Sequence, residues 1–239
     1  MTIVQLLLGL LPASRLKNRL LGRTARTWSV AGSARIHPVL LWHVGTLHVG
    51  EDAYVGAGNA FRELLVVDLG ERADIGQFNW CSGQVQYVRQ DDPGLAGTLV
   101  LEPRAAMTSR HYVDCSGGVR LEEFSVIGGV RSTVLTHYAD LHVRERCGAP
   151  VVLQRGAITL TNCNILAGTT IPPNAVVAAG ATTAKPLTEP GMLYGGVPAR
   201  VVGDLSEARQ FAERTEMRLV ARDEAQAMLD DARQQHARV

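Results

Sequence analysis

The chain has few aromatic residues and lacks the cysteine pairs that build metal or disulfide frameworks. Aromatic side chains make up 5% of its 239 residues, so we predict a thin, aliphatic core. The four cysteines are scattered without a CxxC pair, which is typical of reduced thiols in a cytosolic protein. A formal net charge of +1 argues against the general nucleic-acid binders, which are usually strongly basic.

Acidic residues are absent before Glu51, while basic residues recur in that stretch: Arg15, Lys17, Arg19, Arg23, Arg26 and Arg35. The opening MTIVQLLLGLLP is apolar but too short to span a bilayer. Its positive charges follow the apolar run, whereas in a signal peptide they precede it. We predict a basic amphipathic helical segment over residues 1–30. It packs on its own domain or a neighbouring subunit, or it lies on an anionic membrane face.

A period of six residues organises the region from Leu153 to Ala184. One slot is aliphatic or threonine, and the slot four residues later is always small. The first set is Leu153, Thr159, Ile165, Ile171, Val177 and Thr183; the second is Ala157, Cys163, Thr169, Ala175 and Ala181. Neither a helix nor an alternating strand has this period. A parallel β-helix has it, because each hexad supplies one short flat side and one tight corner.

The same register appears earlier in a weaker form, with Asn59, Asn79, His111 and Arg131 among the residues in the small slot. We therefore predict an all-β solenoid over 31–188. It is interrupted by loop insertions near 82–98 and 138–150, which we expect on one face of the solenoid. The remainder, 189–239, is a C-terminal extension with an α-helix after Asp204, where the composition turns to Ala, Glu, Arg and Gln.

The hexads, the stretch TIPPNAVVAAGATTAKPL and the closing LYGGVPARVV resemble hexapeptide-repeat acyltransferases with a left-handed parallel β-helix. The middle segment TSRHYVDCSGG…GVRSTVLTH is similar to the colanic-acid-type subgroup of sugar and polysaccharide acetyltransferases. The resemblance implies a cytoplasmic homotrimer in polysaccharide biosynthesis. It also implies a CoA-dependent O-acetyltransferase that moves an acetyl group from acetyl-CoA to a sugar hydroxyl, with a histidine base between subunits.

Two histidines are candidates for that base, since imidazole titrates near the working pH. His137 lies four residues after Thr133, immediately before the second insertion, and the resemblance also points to it. His111 lies four residues after Met107. We expect both rings to point outward from cramped corners, as stacked neighbours on one edge. Asp140 is the expected orienting carboxylate for His137, and Asp114 for His111.

Cofactor residues are expected in the last turns. The resemblance implies that Lys185 and Arg200 lie near the nucleotide phosphates of acetyl-CoA. The turn residues Ala167, Ala179 and Gly180 are candidates for lining the pantetheine groove, because small side chains let backbone amides approach a ligand. We expect no metal.

Three other interpretations stay open. A thiolate at Cys115 would take the acetyl group first, although nothing in the sequence marks it as activated. A metalloenzyme similar to the γ-class carbonic anhydrases would use His111, His137 and His142 as zinc ligands. A non-catalytic β-helix scaffold would have lost its site. For the acceptor, a sugar, a lipid-linked glycan, an amine and an antibiotic all stay open, as does an acyl group longer than acetyl.

Overall fold

The computed structural model describes residues 3–84, 94–140, 145–208 and 227–230. Within these ranges, helix is confined to α1 (Ile3–Gly9), α2 (Arg15–Thr24) and residues 227–230. Residues 205–208, where the predicted C-terminal helix would begin, form a turn, and the rest of that predicted helix, 209–226 and 231–239, lies outside the described residues. None of the described helices combines the length and the apolar character that a membrane span requires. The remainder is a mostly parallel, curled β-structure.

Its strands fall into three rows, which the chain visits in a fixed order. Row I contains β1 (Trp28–Val30), the second halves of β3 (Leu40–Val49) and β5 (Ala60–Leu69), β8 (Thr98–Leu101), β11 (Val119–Leu121), β16 (Val151–Leu153) and β19 (Thr170–Ile171). Row II contains β2 (Arg35–Ile36), β4 (Tyr54–Val55), β6 (Asp74–Ile75), β9 (Ala106–Ser109), β12 (Val126–Val130), β17 (Ile158–Thr159), β20 (Val176–Val177), β22 (Met192–Gly195) and β23 (Arg200–Asp204).

Row III contains the first halves of β3 and β5, followed by β7 (Trp80–Ser82), β10 (Tyr112–Asp114), β13 (Thr133–Val134), β18 (Asn164–Ile165) and β21 (Thr182–Thr183). A separate hairpin joins β14 (His137–Asp140) to β15 (Glu145–Gly148). Neighbours within a row pair in parallel, except that β23 returns antiparallel to β22. In the last turns Ile158 pairs with Val176 and Asn164 with Thr182. The chain thus returns to each row after three hexads.

Burial confirms the six-residue pattern. Both slots of the clean repeat face the interior, with every residue from Leu153 to Thr183 in those slots almost completely buried. The earlier aliphatic residues Val55, Ile75, Met107 and Ile127 are buried in the same way. The core is therefore thin and aliphatic, and each side chain packs against its equivalents in neighbouring turns.

The predicted register is wrong by one residue after Ile127. The pairing of β12 with β9 shifts between Ile127 and Val130, since a bulge adds a residue to one strand. Ser132, rather than Arg131, consequently occupies the buried corner position, and Val134, rather than Thr133, enters the core. His137 is therefore not a corner residue and instead begins the β14–β15 hairpin.

Both insertions lie at the same edge of the fold, where the chain passes from row III to row I. We call this edge the III–I junction. One insertion runs from Ser82 to Thr98, and residues 85–93 within it are not described. The other contains the β14–β15 hairpin. The equivalent passages in other turns are short, at 115–118 and 166–169. A second edge, the II–III junction, includes Asn79, His111 and Ser132.

Helix α2 packs on the first turn and closes that end of the core. Leu21 is fully buried, and Asn18 Nδ2 donates to the carbonyls of Ala31 and Ala34. The buried Lys17 ammonium lies within 2.7–3.0 Å of four backbone carbonyl oxygens. Such an end needs covering, because its strand edge would otherwise pair with another chain.

Candidate active site

The III–I junction holds a buried carboxylate surrounded by hydrogen-bond donors. Asp114 ends β10, and its Oδ1 accepts from the Ser116 hydroxyl at 2.5 Å and the Ser116 N–H at 3.2 Å. Its Oδ2 accepts from the Thr136 N–H at 2.8 Å, from the Thr136 hydroxyl at 2.9 Å and from His137 Nδ1 at 2.8 Å. These contacts link two successive turns, so the folded core sets their geometry.

The Asp114 carboxyl is ionised. Burial opposes its ionisation, but hydrogen bonds from Ser116, Thr136 and His137 outweigh that cost and lower the pKa of Asp114 below its ordinary value. An ionised carboxylate only accepts hydrogen bonds. The contact with His137 therefore requires a proton on Nδ1 of the imidazole.

His137 combines this fixed tautomer with access to solvent. Its side chain is 31% exposed, whereas that of Asp114 is 5% exposed. With Nδ1 donating to the carboxylate, Nε2 is the basic position of the ring. A carboxylate–imidazole pair of this kind holds the ring orientation and stabilises the imidazolium that forms when the ring takes a proton. The geometry therefore suits a general base.

The expected pairing of Asp114 with His111 is wrong, whereas the expected pairing of Asp140 with His137 stays a prediction. Asp114 was predicted to orient His111, but it contacts His137, from the next turn of row III. The backbone of Asp140 pairs with Glu145 in the hairpin, and its side chain lies outside the described part of the structure. The prediction paired residues that are close together in the sequence, whereas parallel turns bring together residues more than twenty positions apart.

His111 does not point outward as expected. It is 2% exposed and lies at the II–III junction, so the two histidines are not neighbours on one edge. Its Nδ1 accepts the Ser132 N–H at 3.1 Å, and its Nε2 lies 2.9 Å from Thr108 Oγ1. Burial lowers the pKa of His111 to about 4, although the Ser132 hydrogen bond acts in the opposite direction. The ring is neutral, and both nitrogens are engaged.

This histidine belongs to a polar column inside the II–III junction. In each step, a side chain accepts the backbone N–H of the equivalent residue one turn on. Asn59 Oδ1 accepts from Asn79 N, Asn79 Oδ1 from His111 N, His111 Nδ1 from Ser132 N, and Ser132 Oγ from Cys163 N, at 2.8–3.2 Å. The column satisfies buried N–H groups. In the sequence, the feature that indicated this column was the recurrence of polar residues in the small slot.

The predicted cofactor residues divide between the two junctions. Ala167 lies at the III–I junction, one turn after His137, and its neighbour Gly168 contacts Ala149 at the foot of the hairpin. Lys185 follows β21 into the same junction and is exposed. Ala179 and Gly180 lie instead at the II–III junction, where the Gly180 N–H donates to Thr161 O. Arg200 is exposed at the start of β23.

The alternative chemistries find little support in the site. Cys115 is fully buried, and desolvation, together with the nearby Cys81 and Asp114, raises the pKa of its thiol well above the ordinary value. A thiol of this kind is a poor nucleophile. Among the described residues no group of three or more His, Cys, Asp or Glu side chains is arranged to hold a metal. His142 lies outside those residues.

Comparison with solved structures places the fold. No family model and no curated protein sequence matches the chain. A mutant of AntD, an N-acyltransferase from Bacillus cereus, in complex with dTDP and coenzyme A, aligns with a TM-score of 0.56 at 14% identity. The alignment covers 72% of this chain and 88% of that one. A hexapeptide-repeat acetyltransferase from Vibrio cholerae O1 biovar eltor, in complex with acetyl coenzyme A, aligns at 20% identity over 66% of this chain and 71% of that one, with a TM-score of 0.39. The first likeness establishes a shared fold.

Proposed function

We propose that this protein is a hexapeptide-repeat acyltransferase with a left-handed β-helix, which moves an acetyl group from acetyl-CoA to a hydroxyl of a sugar or polysaccharide precursor. The observation that carries the proposal is the contact between His137 Nδ1 and the buried Asp114 carboxylate. It supplies a base in the correct tautomer at the edge where both insertions emerge. The motifs GVPARVV and TSRHYVDCSGG add the resemblance to acetyltransferases.

In the proposed reaction, His137 Nε2 takes the proton from the acceptor hydroxyl as its oxygen attacks the thioester carbonyl. Asp114 stabilises the resulting imidazolium, and acts as a positioning residue because it contacts the ring rather than the substrate. The tetrahedral intermediate then collapses, the carbon–sulfur bond breaks, and the imidazolium returns its proton to the departing thiolate of CoA. The products are the acetyl ester and free CoA, and the histidine is regenerated.

The proposed cofactor path follows the III–I junction. His137, Ala167 and Lys185 lie in consecutive turns of this edge, and neighbouring parallel strands lie about 4.8 Å apart. The pantetheine arm would pass Ala167, whose small side chain leaves the backbone accessible, with Lys185 towards the phosphates. Ala179, Gly180 and Arg200 are remote from this edge within one chain. They contact the same CoA only if it binds between two copies, as the proposed trimer implies.

An exposed aromatic pair supports a sugar as acceptor. Trp80 and Tyr112 are paired residues of adjacent strands in row III, and they are 40% and 48% exposed. Tyr112 lies two residues before Asp114 on the same side of the strand, about 7 Å away. Aromatic rings offer a rigid flat surface with a polar tip, which suits the face of a sugar ring. A sugar stacked there would have a hydroxyl within reach of His137.

The test is acetyl transfer by the purified chain. The release of CoA from acetyl-CoA is measured with a panel of monosaccharide glycosides, beside the variants His137→Ala and His48→Ala. His48 is the matched control, because its Nδ1 lies 2.7 Å from Asp68 Oδ1 in an exposed pair on row I. We expect His137→Ala to lose at least about 100-fold in kcat, with unchanged oligomeric mass and melting temperature. Full turnover by His137→Ala would refute the assignment.

The finer features of this assignment rest on the resemblance. A homotrimer with the active site between subunits, a cytoplasmic location, and a hydroxyl rather than an amine as nucleophile are all part of the proposal. Mass measurement in solution tests the first of these. Mass spectrometry of the product, combined with its sensitivity to mild alkali, distinguishes an ester from an amide.

A further inference from the structure

The N-terminal segment, made of α1, α2 and the connection between them, directs large apolar side chains towards solvent. We call these seven residues the N-terminal apolar surface: Ile3, Val4, Leu7, Leu10, Leu11, Leu16 and Leu20. Ile3 is 73% exposed, Leu16 62% and Leu7 58%. Single exposed apolar residues are ordinary on proteins, but seven within eighteen residues are an unusual concentration, and extended exposed apolar surface is typical of sites that bind a protein or a membrane.

The packing of α2 fixes which of its sides faces outward. Lys17, Asn18 and Leu21 all point into the first turn of the fold, where Lys17 binds backbone carbonyls of both the α1–α2 connection and the first turn. Leu16 and Leu20 therefore face away from the domain. The helix is held in place by buried polar contacts, so its apolar surface does not result from loose packing.

The exposed charged residues that accompany the apolar surface are all positive. Arg15, Arg19 and Arg23 recur every four residues along α2 and are exposed, as is Arg26. The only basic side chain of this segment turned inward is Lys17. No acidic residue precedes Glu51 in the sequence, so nothing in this segment balances the arginines. Two copies of such a surface would repel each other on contact, whereas an anionic surface would be attracted.

We propose that α1 and α2 dock the protein on an anionic lipid bilayer. The leucines and isoleucine enter the boundary between headgroups and acyl chains, and the arginines lie at the level of the lipid phosphates. Amphipathic helices that lie in the plane of the membrane–water interface bind in this way, and apolar burial and electrostatic attraction both contribute to their binding free energy. The proposal does not depend on acyl transfer, because it concerns another end of the fold.

The test is co-sedimentation of the full chain with vesicles. We compare vesicles of phosphatidylcholine alone with vesicles of equal parts phosphatidylcholine and phosphatidylglycerol. We expect binding to the mixed vesicles, weakened by high salt. Each arginine contributes about fivefold to partitioning, so Arg19→Gln with Arg23→Gln should lower it by about 25-fold. Leu7→Gln with Leu16→Gln should abolish it.

The matched control is Leu160→Gln with Arg131→Gln, which removes one exposed leucine and one exposed arginine elsewhere in the fold and should bind like the unaltered chain. His137→Ala should also bind normally, which separates this proposal from the catalytic one. Two results would overturn it: no preference for anionic vesicles, or a leucine variant whose oligomeric mass falls without vesicles, since the surface would then be covered by a second copy. If the leucine variant does not fold, the arginine variant decides.

Discussion

Replacing His111 by asparagine should make the protein more resistant to acid. His111 is buried and neutral, because Nδ1 accepts the Ser132 N–H and Nε2 contacts Thr108. Protonation would place a second donor opposite that N–H and a charge in the interior. Asparagine retains the acceptor, as Asn79 shows one turn earlier, where its Oδ1 accepts the N–H of His111. The variant removes the titrating group but preserves the column.

The magnitude follows from proton linkage. The pKa of His111 is lowered from 6.5 to about 4 in the folded chain. Between these values the unfolded chain binds a proton and the folded chain does not, so stability falls as pH decreases through this window. At about pH 4.5 the loss amounts to about 2.5 kcal/mol, and above about pH 7 it vanishes. His111→Asn should lack this loss, while all other titrating groups contribute equally to both proteins.

Urea unfolding at about pH 7.5 and about pH 4.5 measures the difference in unfolding free energy between His111→Asn and the unaltered chain. We expect His111→Asn to be within about 1 kcal/mol of the unaltered chain at the higher pH and more stable at the lower pH. His48→Asn makes the same substitution at a half-exposed histidine on row I and is the control for the exchange itself. Equal losses of unfolding free energy in His111→Asn and the unaltered chain would refute the reasoning.

Three further predictions concern the site and the core. Asp114→Asn should lower kcat at least about 100-fold with little change in CoA affinity, because the amide cannot stabilise the imidazolium; a loss of affinity alone, measured by calorimetry, would contradict its positioning role. Trp80→Ala with Tyr112→Ala should raise the KM for the sugar acceptor about tenfold and leave kcat nearly unchanged; an unaltered KM would remove the stacking surface. Ile165→Ala should cost about 2–5 kcal/mol in urea unfolding, since it leaves a cavity between two turns; a change under about 0.5 kcal/mol would contradict its core position.

The repeat was readable because each hexad obeys the same local constraint. A short flat side needs an aliphatic residue facing inward and a tight corner needs a small one, so the period survives wherever turns have regular length. From Leu153 to Thr183 every predicted interior residue is buried. Before that, turn length varies, and the bulge at Ile127–Val130 moved the register by one residue without any local sign in the pattern.

The site was only partly readable for the same reason. His137 was predicted as the base from its place beside an insertion, but the carboxylate that contacts it could not be predicted, because Asp114 is a neighbour only after the chain completes another turn. His111 was placed in the correct slot, yet its orientation was wrong. Whether a polar corner side chain turns inward depends on the backbone N–H groups above and below it, which belong to other turns.

The sequence alone therefore determined the six-residue period, the inward slots and the charge of the N-terminal segment, since these depend on residues close together in the chain. Only the tertiary structure decided that Asp114 contacts His137, that His111 joins a buried column, and which side of α2 faces outward. Those outcomes depend on contacts between successive turns. The number of residues in each turn depends on bulges and insertions, whose lengths cannot be predicted from the neighbouring sequence.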